Sequence, residues 1–238
     1  MKQRFIQNIT IQWNKIEYGS YLRNIPALQF ENSLSFEKNI TFFVGENGTG
    51  KSTLLEAIAV AYGFNPEGGS LNYSFSTYDS HSELYHAIRM TRGYVKPKYS
   101  YFLRAESFYN VATQEEKYAD WAHPSKKYHE KSHGESFLAL AQASFRDNGL
   151  YLLDEPEAAL SPQRQLTLMI EMHKLAQNGA QFIVATHSPI LLGIPDAQIL
   201  SFDDCVIHEC EYTETDSYQV TEMFINNREY MLKRLLRE

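Results

Sequence analysis

The chain has 238 residues, of which 43% are hydrophobic, so it can build the core of one large domain. Its 22 basic and 29 acidic residues give a formal net charge of −7. This charge argues against a broad basic surface for nucleic acid, although a local basic patch remains open. No run of 18 apolar residues occurs, and the start of the chain has no continuous apolar core. We therefore expect neither a membrane span nor a secretory signal, but a cytoplasmic protein.

In the first half of the chain, alternating or continuous apolar residues predict strands, and helical spacing predicts helices. We expect strands at 4–13, 27–36, 39–44 and 99–104, and helices at 52–62 and 82–92. Residues 64–80 are rich in Gly, Asn, Ser and Tyr and are typical of a loop. The polar residues 112–131 are typical of an exposed excursion.

In the second half, predicted strands alternate with predicted helices. We expect strands at 149–153, 181–185, 197–202 and 205–211, and helices at 136–145, 161–177 and 224–236. The unbroken apolar runs at 149–153 and 181–185 are typical of buried parallel strands. This alternation predicts an α/β sheet, and the early strands without helices between them indicate an antiparallel sheet beside it.

Two cysteines, Cys205 and Cys210, lie near the predicted late strands. We interpret them as reduced thiols of a cytosolic protein. A disulfide or a metal pair at this spacing, with His208 between the two, is the alternative.

Residues 45–52 read Gly-Glu-Asn-Gly-Thr-Gly-Lys-Ser, the pattern GxxxxGK[ST] of a phosphate-binding P-loop. A predicted strand precedes the loop and a predicted helix follows it, which is the arrangement that makes an anion site. Lys51 can reach the β- and γ-phosphates, and the Ser52 hydroxyl can ligate Mg²⁺. The residues expected to bind nucleotide here are Gly45, Asn47, Gly48, Thr49, Gly50, Lys51, Ser52 and Thr53.

The segment Leu-Leu-Asp-Glu-Pro at 152–156 ends a predicted buried strand in two carboxylates. Asp154 is expected to hold Mg²⁺ through water, and Glu155 to polarise the water that attacks the γ-phosphate. On its own this segment is no more than an acidic turn after a strand. The P-loop upstream favours the functional interpretation.

Two further motifs lie before and after these carboxylates. Ser-His-Gly-Glu-Ser at 132–136 opens a predicted helix, where Ser132 suits the N-cap and Gly134 permits close backbone approach to an anion. His187, in Val-Ala-Thr-His-Ser-Pro at 184–189, follows a predicted strand at the edge where open α/β sheets bind ligands. Residues 157–162 are expected to form a contact loop without chemistry of its own.

This set of motifs, in this order, resembles the ABC-type ATPases. The amino-acid sequences of the motifs resemble those of stand-alone bacterial ATPases of the AAA/SMC-like branch. The matches are residues 45–52 with Walker A, Ser132–Ser136 with the signature motif, Asp154 and Glu155 with Walker B and its catalytic glutamate, Ala158–Ser161 with the D-loop, and His187 with the switch histidine. The resemblance implies a mainly parallel core sheet flanked by helices, an N-terminal antiparallel β-subdomain and a helical signature region. It covers residues 1–238 as one domain, with 63–131 as an excursion between Walker A and the signature.

The resemblance also implies a site split between two chains, with ATP and Mg²⁺ as cofactors and the nucleotide sandwiched in a homodimer. One chain would supply the catalytic set of Lys51, Glu155 and His187, together with Ser52 and Asp154 at the metal. The other would present Ser132 and Gly134 to the γ-phosphate, and Glu135 of the same motif is also expected to bind the nucleotide. The chain departs from the family at His133 and Glu135, where Gly or Gln is usual, and at the Q-loop position, where Glu106 could still ligate Mg²⁺.

Three functions remain open from the sequence. The first is an ATPase switch that acts on a partner in DNA maintenance or defence. The second is the nucleotide-binding subunit of a membrane transporter, and the third is a nucleotide-binding regulator that barely hydrolyses ATP. The adenine partner is open too: Trp13, Tyr18, Tyr21 or Arg23 can stack on a base, or can simply be core or surface residues.

Overall fold

A computed structural model describes residues 4–30, 32–71, 82–104 and 133–236. Glu106, Ser132 and the predicted excursion at 112–131 lie outside these ranges. The strands are β1 Ile6–Ile11, β2 Leu34–Ser35, β3 Ile40–Val44, β4 Ile88–Arg92, β5 Tyr99–Arg104, β6 Gly149–Asp154, β7 Gln181–Ala185, β8 Gln198–Ser201 and β9 His208–Glu209. The α-helices are α1 Lys51–Tyr62, α2 Leu84–Ala87, α3 His133–Ser144, α4 Pro162–Gln177, α5 Pro189–Leu192, α6 Asp216–Asn226 and α7 Arg228–Leu235.

The strands form two sheets. The larger sheet has the order β5-β6-β7-β3-β8-β9 and is parallel except for β9, which pairs antiparallel with β8. The smaller sheet has the order β2-β1-β4 and is antiparallel. The predicted α/β fold, with a mainly parallel core and an N-terminal antiparallel sheet, is confirmed.

The larger sheet is covered on both faces, which is why its strands read as continuous apolar runs. Successive side chains point to opposite faces, so each neighbouring pair divides between two cores. Phe42, Tyr151 and Phe182 face the core that α3 and α4 cover. Phe43, Leu152 and Ile183 face the core that α1 covers.

Gln181 joins the two sheets through buried hydrogen bonds. Its Oε1 accepts from the N–H groups of Phe5 and Ile6 at 2.8 and 2.9 Å, and its Nε2 donates to the carbonyl of Ile6 at 2.8 Å. A single buried side chain at the start of β7 therefore satisfies backbone groups at the start of β1.

Several predicted elements differ from the structure. The helix predicted at 82–92 ends at Ala87, and β4 takes its second half because those residues pair with β1. In the predicted strand 27–36 only β2 is a strand, since Pro26 begins a short 3₁₀ turn that runs to Leu28. The strand predicted at 205–211 is confined to β9. The C-terminal helix begins at Asp216, earlier than predicted, and is divided at Asn227.

Candidate functional site

The candidate site lies where three neighbouring parallel strands end. β3 leads into the P-loop, β6 ends at Asp154, and β7 leads to His187. Because β7 lies between β3 and β6, the motifs that follow these strands meet at one edge of the sheet. Each motif can be identified in the sequence on its own, but the order of the strands in the sheet is what places the three motifs side by side.

Two P-loop glycines are required both by the backbone and by the space around them. Gly45 and Gly50 have φ angles of +134° and +99°. A Cβ on Gly45 would lie 2.9 Å from Oδ1 of Asp203, and a Cβ on Gly50 would lie 2.8 Å from the side chain of Ile25. A larger residue at either position would therefore clash and strain the loop.

Lys51 begins α1 with its ammonium folded back onto the loop. Nζ donates to the carbonyls of Gly45 and Glu46, each at 2.6 Å, and the residue is only 5% exposed. Burial lowers the pKa of this ammonium, while four nearby carboxylates act to raise it. In decreasing order of effect these are Asp203, Glu155, Asp154 and Glu157. The only partners of the charge in the loop are carbonyls, which a phosphate can replace.

Asp154 lies between a hydroxyl and a guanidinium. The Ser52 hydroxyl donates to Oδ1 at 2.8 Å, and Nε of Arg104 lies 3.6 Å from Oδ2. Arg104 also pairs through Nη1 with Glu56 of α1 at 2.5 Å. Oxygen donors of the Ser52 and Asp154 type suit Mg²⁺, so this pair of residues fits the metal that the motifs imply.

Glu155 occupies a left-handed backbone conformation, with φ +49° and ψ +51°. Its N–H donates to the carbonyl of Ala185 at 2.9 Å, which ties it to the end of β7. Such a conformation costs about 1 kcal/mol or more for a residue other than glycine. The fold holds it at the position where the sequence predicts the catalytic carboxylate.

His187 is linked to Glu157, the residue directly before the segment that matches the D-loop. The backbone N–H of His187 donates to Oε1 of Glu157 at 2.5 Å. Within the described ranges, Nε2 of His187 and Oε2 of Glu157 are buried without a hydrogen-bond partner. An unpaired buried polar atom costs about 1–3 kcal/mol, so this imidazole nitrogen is available to a ligand. The contact loop predicted at 157–162 thus contributes a carboxylate to the site.

Two residues of the signature motif, Gly134 and Glu135, lie in the first turn of α3. A Cβ on Gly134 would lie 2.8 Å from the carbonyl of Ala159 in the D-loop. Oε1 of Glu135 pairs with Nη2 of Arg164 in α4 at 3.0 Å. Within its own chain, this part of the signature therefore packs against the D-loop and α4.

Asp203 is a site residue that the sequence analysis did not identify. It follows β8, and its Oδ1 accepts from the N–H of Glu46 at 2.9 Å, while Oδ2 accepts from the Ser201 hydroxyl at 3.1 Å. The carboxylate thus fixes the first turn of the P-loop. The signal in the sequence is its place directly after a predicted strand, which gains meaning only once β8 is known to neighbour β3.

A cleft of about 600 Å³ adjoins this side of the P-loop. Gly45, Glu46, His187 and Asp203 line one wall, and the first turn of α6 lines another. Most of the charged groups in the cleft are carboxylates.

The candidate adenine partners form a cluster beside the P-loop. Arg23 donates through Nη2 to the carbonyls of Trp13 and Ile16 at 2.6 and 2.7 Å. Its guanidinium lies 4.7 Å from the centroid of the Tyr18 ring, and Tyr18 is 95% exposed. The same segment continues to Ile25, whose side chain lies against Gly50. Of the four candidates, Tyr18 has the most exposed aromatic ring, and the Arg23 guanidinium lies against that ring.

Both cysteines are free thiols, as predicted. Burial raises the pKa of the Cys210 thiol to about 11. Among the described residues, no group of three His, Cys, Asp or Glu side chains is placed to hold a metal ion.

Part of the chain matches the model of a known protein family. Residues 103–193 match the model described as "AAA domain, putative AbiEii toxin, Type IV TA system". This range contains the residues that the sequence analysis matched to the signature, to Walker B, to the D-loop and to the switch histidine.

The chain also resembles curated ATP-binding proteins. It is 24% identical to the nisin transport ATP-binding protein NisT of Lactococcus lactis over 87% of this chain. It is 28% identical to a putative ABC transporter ATP-binding protein of Bacillus cereus over 86% of this chain. In both alignments the chain spans 40% of the length of the relative.

One solved structure with the same fold is cbiO1 of Clostridium perfringens, part of the ABC transporter complex cbiONQ. It aligns with a TM-score of 0.50 at 13% identity, and the alignment covers 99% of this chain and 100% of that one. Within the described ranges of this chain, no helix is both long and apolar enough to cross a membrane. The motifs, the fold and these matches together support the resemblance of this chain to the ABC-type ATPases of the AAA/SMC-like branch.

Proposed function

We propose that this domain binds ATP with Mg²⁺, hydrolyses it, and uses the cycle to pair with and release a second copy of the chain. The contact that carries the proposal is the 2.8 Å hydrogen bond between the Ser52 hydroxyl and Asp154. It joins the end of the P-loop to the end of β6, so the two predicted metal-binding residues are already adjacent. Lys51 lies beside them, held only by carbonyls within the loop.

The P-loop is proposed to hold the triphosphate. Its N–H groups and the N-terminus of α1 face the phosphates, and Lys51 exchanges the carbonyls of Gly45 and Glu46 for phosphate oxygens. Ser52 and Asp154, with Glu106, would hold Mg²⁺, which supplies positive charge to the β- and γ-phosphate oxygens when bound. Tyr18, backed by Arg23, is the proposed adenine partner.

Glu155 is proposed to act as the general base. Its carboxylate accepts a proton from a water whose oxygen attacks the γ-phosphorus, and the bond to the bridging oxygen of ADP breaks. The products are ADP and inorganic phosphate. The unpaired Nε2 of His187 can donate to a γ-phosphate oxygen, and Glu157 positions the histidine through its backbone N–H.

The second half of the site is proposed to come from another copy. Ser132 and Gly134 of that copy would face the γ-phosphate, with Glu135 of the same motif also at the nucleotide, as the resemblance to ABC-type ATPases implies. A helix N-terminus aimed at a phosphate stabilises the pair only while that phosphate is present. Hydrolysis would therefore release the two copies.

We propose that this cycle acts as a switch on a protein or DNA partner in the cytoplasm. The matched family description names a toxin–antitoxin system, which is compatible with a role in defence. The alternative is a transporter subunit, favoured by the names of the curated relatives. Membrane subunits that copurify with the chain from native cells would favour that alternative.

Phosphate release measured with and without DNA tests the hydrolytic part of the proposal. The wild-type chain should release phosphate from ATP in the presence of Mg²⁺, and the Glu155→Gln variant should lose at least about a hundredfold of that rate. A matched control is Glu171→Gln, a glutamate of α4 outside the site. Equal rates in wild type and Glu155→Gln would refute the assignment of the base. Stimulation by DNA would favour a DNA partner.

A further inference from the structure

The two C-terminal helices, α6 and α7, expose apolar side chains along their whole length. Neither helix contains a buried residue. The exposed fractions include 58% for Val220, 70% for Ile225 and 66% for Leu235. Exposed apolar residues that recur on neighbouring helical turns mark an interaction surface.

Helices of this length do not hold their shape alone. α6 has 11 residues and α7 has 8. Isolated helices shorter than about 12–15 residues are marginal in water, and packing of an apolar face normally supplies the missing stability. The pair is anchored at its start, where Thr215 is buried and accepts from the N–H of Tyr218, and where the Tyr212 hydroxyl donates to Pro189. Beyond that anchor the two helices need a surface to cover them.

The charges of the helix pair indicate what that surface is. α6 carries Asp216 and Glu222 and no basic residue. α7 carries Arg228, Lys233 and Arg234 against the single acidic residue Glu229, so it is basic on balance. Across the part of the chain that the structure describes, no ion pair connects the two helices. The net charge of α6 is therefore acidic and that of α7 is basic, and among the described residues no ion pair joins the two helices to offset them.

A twofold axis would satisfy both ends at once. In a contact between two identical copies, residue i meets residue j and residue j meets residue i. The basic α7 of one copy would then face the acidic α6 of the other, with the apolar residues of both helices between them. Opposite charges placed in this way select the orientation, while the apolar area supplies most of the affinity.

We propose that α6 and α7 form a contact between two copies of this chain that does not require nucleotide. The first turn of α6 lines the cleft that also contains Gly45 and His187, so the contact begins beside the nucleotide site. It rests on the proposed function and deepens it: at protein concentrations above the dissociation constant of this contact, the two copies would stay near each other after hydrolysis has released their contact across the nucleotide. It is nevertheless distinguishable from the ATP-dependent pairing, since it forms without ATP.

Sedimentation equilibrium of the nucleotide-free chain over a concentration series tests the proposal. The wild-type chain should dimerise, and Glu222→Arg should weaken that dimer at least about tenfold. Lys233→Glu combined with Arg234→Glu should weaken it similarly. With all three changes together, the dissociation constant of the dimer should return to within about threefold of the wild-type value. The opposite charges are then exchanged between the helices rather than lost.

The matched control is Ile170→Glu, which places a charge on a residue of α4 that is 63% exposed. It should leave the dimer unchanged. Far-UV circular dichroism and ATP binding confirm that every variant is folded. A wild-type chain that stays monomeric up to roughly 100 µM would overturn the proposal and indicate a different occupant of these helices. A dimer that fails to recover in the triple variant would overturn it too. Phosphate release is measured for the same variants. If they hydrolyse ATP but the dimer results fail, the helix contact is refuted and the ATPase proposal is not.

Discussion

Removing the Asp203 carboxylate should weaken ATP binding without touching any residue of the P-loop. Asp203 accepts the N–H of Glu46 at 2.9 Å and the hydroxyl of Ser201 at 3.1 Å, so it holds the first turn of the loop. In Asp203→Ala both hydrogen bonds are lost. The loop can then relax when no nucleotide is bound and must be ordered again on binding.

The size of this effect follows from the chemistry of the lost hydrogen bond. A hydrogen bond to a charged acceptor contributes about 1.5–3 kcal/mol. If the loop relaxes fully in the absence of nucleotide, the free energy of ATP binding becomes less favourable by the whole of that amount. At about 1.4 kcal/mol for each factor of ten, ATP affinity should fall about tenfold to a hundredfold.

Asp203→Asn separates the hydrogen bond from the charge. Its amide oxygen can still accept from Glu46, and its amide nitrogen can donate to the Ser201 hydroxyl. It also removes one carboxylate from the neighbourhood of the phosphates. We expect its ATP affinity to stay within a few-fold of wild type.

Isothermal titration with ATP and Mg²⁺ gives the affinities of the three chains. Asp204→Ala is the matched control, because Asp204 is the next carboxylate along the chain and lines the same cleft. Its affinity should equal that of wild type. The reasoning is refuted if Asp203→Ala binds ATP as tightly as wild type, or if Asp203→Asn is as weak as Asp203→Ala.

Three further substitutions test the other parts of the site. Lys51→Ala should lose detectable ATP binding in calorimetry, since it removes the one ammonium that the loop holds; an unchanged affinity would contradict the P-loop assignment. Glu157→Ala should lower kcat about tenfold with little change in KM, because it frees the histidine loop and leaves the phosphate contacts alone. If instead KM rose about tenfold and kcat stayed the same, the result would count against that role. Tyr18→Ala should raise the Kd of ATP about fivefold to tenfold but leave the affinity for inorganic triphosphate unchanged, whereas Tyr94→Ala, at an equally exposed ring, should change neither.

The parts of the site that the sequence could predict are those written in local patterns. The P-loop, the Asp-Glu pair at the end of β6 and His187 each follow an apolar run that the sequence identifies as a strand. Their convergence depends on the strand order, in which β7 separates β3 from β6. The spacing of the motifs along the chain does not report that order.

The remaining residues of the site depend on contacts between distant parts of the chain. Asp203 meets Glu46, and Arg104 meets Glu56 and Asp154, across separations that no local pattern reports. Glu157 looked like part of a contact loop because its partner, the N–H of His187, lies thirty residues on. These positions could be named only after the sheet was assembled.

The errors in secondary structure have a similar cause. The spacing of Leu84, Ala87 and Ile88 predicts a helix that runs to Arg92, yet residues 88–92 form β4 because they pair with β1. Local propensity is a weak preference that such pairing overrides. At the C-terminus, a helix was correctly predicted over 224–236. Its earlier start at Asp216 and its division at Asn227 were not predicted.

The central claim is that ATP joins two copies of this domain and that hydrolysis separates them. The most direct measurement is the dimer fraction of Glu155→Gln by light scattering with and without ATP, at a concentration where the nucleotide-free chain is mostly monomeric. The account predicts a nearly complete dimer with ATP and Mg²⁺, and no ATP-dependent increase in Glu155→Gln that also carries Lys51→Ala. A Glu155→Gln chain that binds ATP and shows no increase in dimer would contradict the account.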